Sequence, residues 1–183
     1  VLTWAVMLVV VVVVVEAHNS LLYNTTSGVY EARLVKVEGV GFSQTRYLHK
    51  LISVPYAERP ERFRQSVMRK YRAGVVHGVQ EPVVCYQSVN LSSYGLFNLN
   101  EAAAMSEDCL TVNLYIPVAA SPSDERQMRN MSVLVHIHGG SNMVGGAALF
   151  DGSVLAAHGK IIVAIINYRL SMLGFMSDMT KNF

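Results

Sequence analysis

The chain carries Met131-Ser132-Val133-Leu134-Val135-His136-Ile137-His138-Gly139-Gly140-Ser141-Asn142-Met143-Val144-Gly145-Gly146, and how this stretch is read decides the class of fold. Its first half is continuously apolar and rich in β-branched residues, the pattern of a strand covered on both faces. Its second half places four glycines in eight positions. That density suits a loop needing positive φ and close backbone approach rather than side-chain contacts. Such a loop can turn amide N–H groups toward a ligand oxygen.

Downstream, Asp151 or Ser153 is placed to cap a short helix over Val154–His158, with Gly159 as its left-handed stop and Lys160 near the carbonyl end. Ile161–Asn167 then forms a second apolar run. The order strand, glycine loop, short helix, strand predicts an α/β fold.

Upstream, Val29–Val37 alternates charged and apolar residues with one slip of phase, and Arg46–Val54 reads as its antiparallel partner across a turn at Gly39 and Gly41. Pro55 ends that strand and Pro60 keeps the following segment extended. Ser66–His77 is read as a short helix, and Ala102–Met105 as one helical turn. Tyr86–Asn100, rich in Ser, Asn and Gly, is expected to be an exposed loop. Leu110, Val112, Leu114 and Ile116 alternate with Thr111, Asn113 and Tyr115, which predicts a strand with one buried and one wetter face. Pro117 stops it, and Val118–Asn130 is a polar surface connection.

At 183 residues, 51% hydrophobic and 15% charged, the chain can bury a sizeable single core and does not have the composition of a disordered protein. Trp4–Val15 is an unbroken apolar run ending in seven valines. Too short to span a bilayer comfortably, it reads as the hydrophobic region of a signal peptide cut near Val15-Glu16-Ala17, with a short N-terminal anchor helix as the alternative. The expected division is therefore a leader over 1–17, incomplete at its start, and one domain portion over 18–183. Asn24-Thr25-Thr26, Asn90-Leu91-Ser92 and Asn130-Met131-Ser132 are glycosylation sequons, consistent with secretion or exposure on the outer face of the plasma membrane. In an oxidising compartment a disulfide between the two cysteines, Cys85 and Cys109, is the natural expectation, with two buried thiols as the alternative.

A net charge of +2 implies no polyanionic partner. The basic cluster Arg59, Arg62, Arg64, Arg69, Lys70 and Arg72 lacks regularly interleaved aromatics and reads as a solvated face, not a nucleic-acid surface. Gly139, Gly140, Gly145 and Gly146 do not fit G-x-G-x-x-G, and Ala147 stands where a P-loop requires lysine. His136 and His138 lie two apart, but no Cys, Asp or Glu follows at ligand spacing, so neither metal nor cofactor is expected. Two readings of the loop stay open: a tight structural turn, or an oxyanion hole of the HGGG type that follows a strand in α/β-hydrolases.

Five elements in order resemble the type-B carboxylesterase and cholinesterase family. They are Val54-Pro55-Tyr56-Ala57 with Arg62-Phe63; Ser106-Glu107-Asp108-Cys109-Leu110-Thr111-Val112-Asn113-Leu114-Tyr115-Ile116-Pro117; His138 to Gly146; Phe150-Asp151-Gly152; and Asn167-Tyr168-Arg169-Leu170 through Leu173-Gly174-Phe175. The resemblance implies the N-terminal part of an α/β-hydrolase, with antiparallel first strands leading into a mostly parallel sheet. It further implies a Cys85–Cys109 disulfide, a structural ion pair of Arg62 with Glu107, and oxyanion donors at Gly139, Gly140 and Ser141.

Ser141 stands where active esterases of the family carry a third glycine, and serine at that place also occurs in neuroligins, the non-catalytic adhesion members. Phe150-Asp151-Gly152-Ser153-Val154-Leu155-Ala156 is closer to neuroligins, whereas Met143-Val144-Gly145-Gly146-Ala147 is closer to carboxylesterases. The link from Ala57 to Arg62 is shorter than the family's usual one. The family's G-x-S-x-G elbow, acid and histidine lie beyond Phe183, so Ser141, Ser153, Ser171 and Ser177 are not nucleophiles. The expectation is a secreted serine esterase acting on a small ester, of which residues 1–183 alone are inactive and fold poorly. The alternative is a neuroligin-like ectodomain with a cell-surface protein partner.

Overall fold

Thr111–Pro117 (β8) is the strand around which the other elements pack, and all seven of its residues are buried. The computed structural model describes residues 22–38, 45–76, 80–87, 103–119 and 130–176. Within them β8 occupies the middle of a five-stranded sheet. Its neighbours are Arg46–Pro55 (β4) and Ile162–Ile166 (β10), with Arg33–Val37 (β3) and Val133–Ile137 (β9) at the edges, in the order β3-β4-β8-β10-β9. The pairings from β3 to β10 are antiparallel, and the β9–β10 pair is parallel, from Ile162↔Val133 to Ile166↔Ile137.

Each face of β8 meets a different layer. Val112, Leu114 and Ile116 pack with Leu51, Val54, Ile162 and Ala164 against Tyr23, Tyr30 and Ala32. Those tyrosines belong to Leu22–Thr25 (β1) and Gly28–Glu31 (β2), which with Arg72–Val76 (β5) make a separate three-stranded sheet. Tyr115 packs on the other side with Leu48, Val163 and Ile165 against Ala156 and Ala157 of Ser153–Gly159 (α1). The wetter face expected for β8 is thus absent, because its polar members are spent internally. Asn113 Oδ1 accepts the amide of Ser53 (2.9 Å), and the Tyr115 hydroxyl donates to the carbonyl of Phe150 (3.2 Å).

That first bond marks a bulge. Leu51 pairs with Leu114 but Val54 with Val112, so β4 carries one extra residue there, and Ser53 takes up the kink with φ 54°. Val83–Cys85 (β6) attaches at this point, the Val83 amide donating to Ser53 Oγ (3.2 Å). Ala104–Ser106 (β7) pairs with β6 in parallel. The Cys85–Cys109 disulfide, with Cα atoms 5.0 Å apart, closes the intervening loop, whose residues 88–102, including Asn90, lie outside the described set. A 24-residue separation makes such a closure worth about 3 kcal/mol of unfolded-state entropy. Replacing both cysteines by alanine is therefore expected to lower the unfolding free energy by about that amount in urea titrations.

Several local expectations are corrected. The phase slip in Val29–Val37 falls at Ala32, where one strand ends and the next begins, β2 and β3 belonging to different sheets. Of the helix read over Ser66–His77, the described residues 66–76 are instead coil followed by β5, because Val75 and Val76 pair with Val29 and Tyr30 and Gly74 sits at φ 105°, outside any helix. The helical turn at Ala102–Met105 gives way to β7 for the same reason, pairing with β6. The left-handed end of α1 falls on Lys160 (φ 52°) rather than Gly159, and Gly152 occupies the cap, with Asp151 Oδ1 accepting the Ser153 amide (2.7 Å). The covering expected over both apolar runs holds for β10 only. Helix α1 lies over β3, β4, β8 and β10, while Val133, Val135 and Ile137 of edge strand β9 are exposed. The turn at Gly39 and Gly41 lies outside the described residues.

The two sheets are pinned by a buried pair. The Tyr23 hydroxyl lies 2.5 Å from His49 Nδ1, which ties β1 to β4. Burial pushes Tyr23 up to about 12 and pushes His49 below the ordinary histidine value. A histidine held neutral contributes stability that is complete above about pH 6.5 and is lost as pH falls through its lowered value. Tyr23 contributes in the opposite sense, losing its share as pH rises from about 10 toward 12. His49→Gln keeps an acceptor without a titrating ring, so melting temperature measured between about pH 7.5 and 5 should fall less steeply than in the parent. An unchanged acid limb would refute this assignment.

Candidate active site

Residues His138–Gly146 leave the end of β9 and are held from three directions. The turn itself is built on Gly140, at φ 126°, whose carbonyl accepts the amides of Met143 (2.9 Å) and Val144 (3.1 Å). Only glycine fits, since a Cβ there would lie 1.9 Å from the Val144 oxygen. Ser141 and Asn142 follow in the left-handed region at φ 56° and 59°. The Asn142 carbonyl accepts the amide of Ser171 (2.7 Å), at the start of Ser171–Phe175 (α2). Ser171 itself sits at φ 54°, so a non-glycine residue in the left-handed region stands on each side of this contact.

The stem is anchored by an imidazole. His138 is buried, its ring stacked on Tyr168 with centroids 4.4 Å apart, and the Tyr168 hydroxyl donates to the His138 carbonyl (2.7 Å). His138 Nδ1 lies 3.0 Å from the Gly139 carbonyl, an acceptor only, which assigns the ring proton to Nδ1. Burial lowers the pKa of His138, with neighbouring His136 acting in the same direction, so the ring is neutral near pH 7.

The far stem is held by side chains that follow the ends of β6 and β10. Gln87 Oε1 accepts the Gly145 amide (2.9 Å), while its Nε2 donates to the carbonyls of Gly145 (2.8 Å) and Cys85 (3.0 Å). Asn167, only 1% exposed, accepts the Ala147 amide at Oδ1 (2.8 Å) and donates from Nδ2 to the Val83 carbonyl (2.8 Å) and Thr111 Oγ1 (3.1 Å). Its own carbonyl accepts the Tyr56 hydroxyl (2.6 Å). One asparagine thus joins β6, β8, β10 and the glycine loop.

Chemically, the loop offers amides. Among the described residues those of Gly139, Gly140 and Ser141 donate to no protein acceptor. A Cβ built on Gly139 would meet nothing within 4 Å, so this side of the loop is open. Unspent donors beside open space are what a developing negative charge requires.

The remaining sequence candidates lie apart from the loop. Arg62 clasps Glu107 through Nε (2.9 and 3.0 Å) and Nη2 (2.5 Å) beside the disulfide, and this bond holds the Glu107 carboxyl below its usual range. Asn24, in β1, and Asn130, just before β9, are exposed. Ser153 begins α1 and Ser171 begins α2, both in structural positions. Gln87 and Ser53 escape sequence reading because no motif marks them, and Tyr56 is marked only as part of Val54-Pro55-Tyr56-Ala57. The hint at Asn167 is a polar residue closing an apolar run.

Comparison with known proteins agrees with this geometry. The model of the carboxylesterase family matches residues 27–183. The chain is 34% identical over 160 residues to cocaine esterase of Oryctolagus cuniculus and 36% over 155 residues to carboxylesterase 3B of Mus musculus, covering 84% and 81% of itself. It is also 36% identical over 156 residues to neuroligin-2 of Rattus norvegicus, covering 70% of itself and 19% of that protein. It spans about a quarter of the two esterases, 28% and 26% of their lengths. Among solved structures, a thermophilic PNB esterase superposes with a TM-score of 0.65 at 32% identity, covering 85% of this chain and 29% of that one. The fold is accordingly part of an α/β-hydrolase, and the chain belongs to the carboxylesterase family.

Proposed function

We propose that this chain is the N-terminal part of a secreted serine hydrolase of carboxylic esters, and that Gly139, Gly140 and Ser141 form its oxyanion hole. The observation that carries this is that, among the described residues, the amides of Gly139, Gly140 and Ser141 donate to no protein acceptor, beside the open side of Gly139. A serine outside residues 1–183 attacks the carbonyl carbon of a small ester, the carbonyl oxygen takes the negative charge, and the amides hold it until the alcohol leaves. Removing one such donor costs about 3–4 kcal/mol of transition-state stabilisation, so the loop is a large share of the catalysis. Neutral His138 packs beneath the loop as a support and has no part in proton transfer. Residues 1–17 act as the leader and residues 18–183 as one domain portion. Asn24, Asn90 and Asn130 carry glycans, the first and last being exposed.

A neuroligin-like adhesion role is the second reading, favoured by Ser141 and by the neuroligin-2 identity of 36%. Its partner is a protein on another cell surface.

The full-length protein containing this chain, treated with a fluorophosphonate probe, is expected to label on one serine outside residues 1–183 and to turn over p-nitrophenyl acetate. Residues 1–183 alone are expected to do neither. Absence of labelling in the full-length protein, with saturable binding to cells, would establish the adhesion role instead.

A further inference from the structure

The contacts of Gln87 have no counterpart in the chemistry of ester hydrolysis, yet they are the most directed in the site. Its primary amide engages both polar groups of one residue, accepting the Gly145 N–H (2.9 Å) and donating to the Gly145 carbonyl (2.8 Å), as a neighbouring strand would. Gly145 is buried and at φ 122°, and a Cβ there would lie 2.4 Å from His138 Nδ1 and 2.6 Å from the Gly139 oxygen. Whatever fixes Gly145 therefore fixes the floor on which His138 and the Gly139 carbonyl rest.

Planarity of the peptide bond couples the Gly139 carbonyl to the Gly140 N–H. In a trans peptide the carbonyl of Gly139 and the N–H of Gly140 point in opposite directions. His138 Nδ1 holds the Gly139 oxygen inward (3.0 Å), which turns the Gly140 N–H outward. Rotation of that peptide would aim the carbonyl at the same space and convert an attractive site for an oxyanion into a repulsive one. Gln87 sits behind this arrangement. It is only two residues past Cys85, and its third bond is to the Cys85 carbonyl (3.0 Å), so its position is set by the disulfide.

We propose that Gln87 is the positioning residue of the glycine loop, fixing the orientation of the Gly139–Gly140 peptide and coupling it to the Cys85–Cys109 bond. The kinetic consequence rests on the oxyanion-hole assignment above, whereas the positional one does not.

The test uses the full-length protein with Gln87→Leu and Gln87→Glu. Hydrogen exchange at Gly145 is expected to accelerate at least tenfold in Gln87→Leu, with exchange in β8 unchanged. In the ester assay kcat is expected to fall about tenfold to a hundredfold with KM little altered, the size associated with a misaligned donor. A carboxylate in Gln87→Glu can accept from Gly145 but cannot donate, whereas the protonated acid does both. Its kcat relative to the parent should therefore recover as pH is lowered, and that of Gln87→Leu should not. Unchanged exchange at Gly145 in Gln87→Leu would overturn the proposal, as would faster exchange with unchanged kcat in an active parent. If the parent hydrolyses no ester, the oxyanion assignment fails, and exchange at Gly145 alone then decides the role of Gln87.

Discussion

Asn167→Leu is expected to lower the unfolding free energy by about 3–5 kcal/mol, since it leaves buried partners unpaired at an unspent cost of about 1–3 kcal/mol each. Three bonds vanish together: those to the Ala147 amide, the Val83 carbonyl and Thr111 Oγ1. Ala147 and Thr111 are 1% and 4% exposed, so water does not replace the lost partner. Leucine keeps the branched heavy-atom skeleton of asparagine with methyl groups in place of its oxygen and nitrogen, so no cavity is opened and the lost bonds dominate. Asn167→Asp separates the donors from the acceptor: it keeps the bond from Ala147 but sets a carboxylate against the Val83 carbonyl. It should therefore also destabilise, and more at neutral pH than in acid. Urea titration of the full-length protein measures both. A shift below about 1 kcal/mol for Asn167→Leu would show that Asn167 does not hold the site together.

That dependence explains what could and could not be read from the chain. The strand, glycine loop, helix, strand order around His138–Gly146 was legible because its apolar runs and its density of glycines are local signatures. The parallel pairing of β9 with β10 followed from it. What failed were segments whose state is decided by a distant partner. Arg72–Val76 is a strand because β2 lies beside it, and Ala104–Ser106 because β6 does. Thr111, Asn113 and Tyr115 alternate like a wet face, yet are buried because Asn167, Ser53 and Phe150 each accept or supply one bond. In the same way the residues that support the loop are joined across wide separations. Gln87 and Gly145 lie 58 positions apart and Asn167 and Val83 lie 84 apart, so no local pattern announces them. The glycine loop was readable from the sequence, and the frame that holds it was not.

The second large effect belongs to the loop's own backbone. In Gly140→Ala the new Cβ would lie 1.9 Å from the Val144 oxygen at φ 126°, a conformation L residues rarely adopt. Strain of this kind costs about 1–3 kcal/mol before any clash is counted. The chain can escape only by opening the turn, which breaks the bonds from Met143 and Val144 to the Gly140 carbonyl and swings the Gly140 N–H away. Loss of a donor in a preorganised hole is worth roughly 10²–10³ in kcat. Gly140→Ala should therefore fold with a lowered melting temperature and lose at least about a hundredfold in kcat toward p-nitrophenyl acetate. Gly139→Ala supplies the contrast from the adjacent position. Its Cβ meets nothing within 4 Å, so the melting temperature should hold, and any kinetic change should fall on KM because the methyl intrudes on the open space before the amides. The same methyl group, moved by one residue, thus distinguishes backbone geometry from occupancy of the site. Circular dichroism melts and steady-state kinetics on the two variants read the two effects separately. A Gly140→Ala protein with the parent's melting temperature and kcat would refute the placement of the oxyanion hole in this turn.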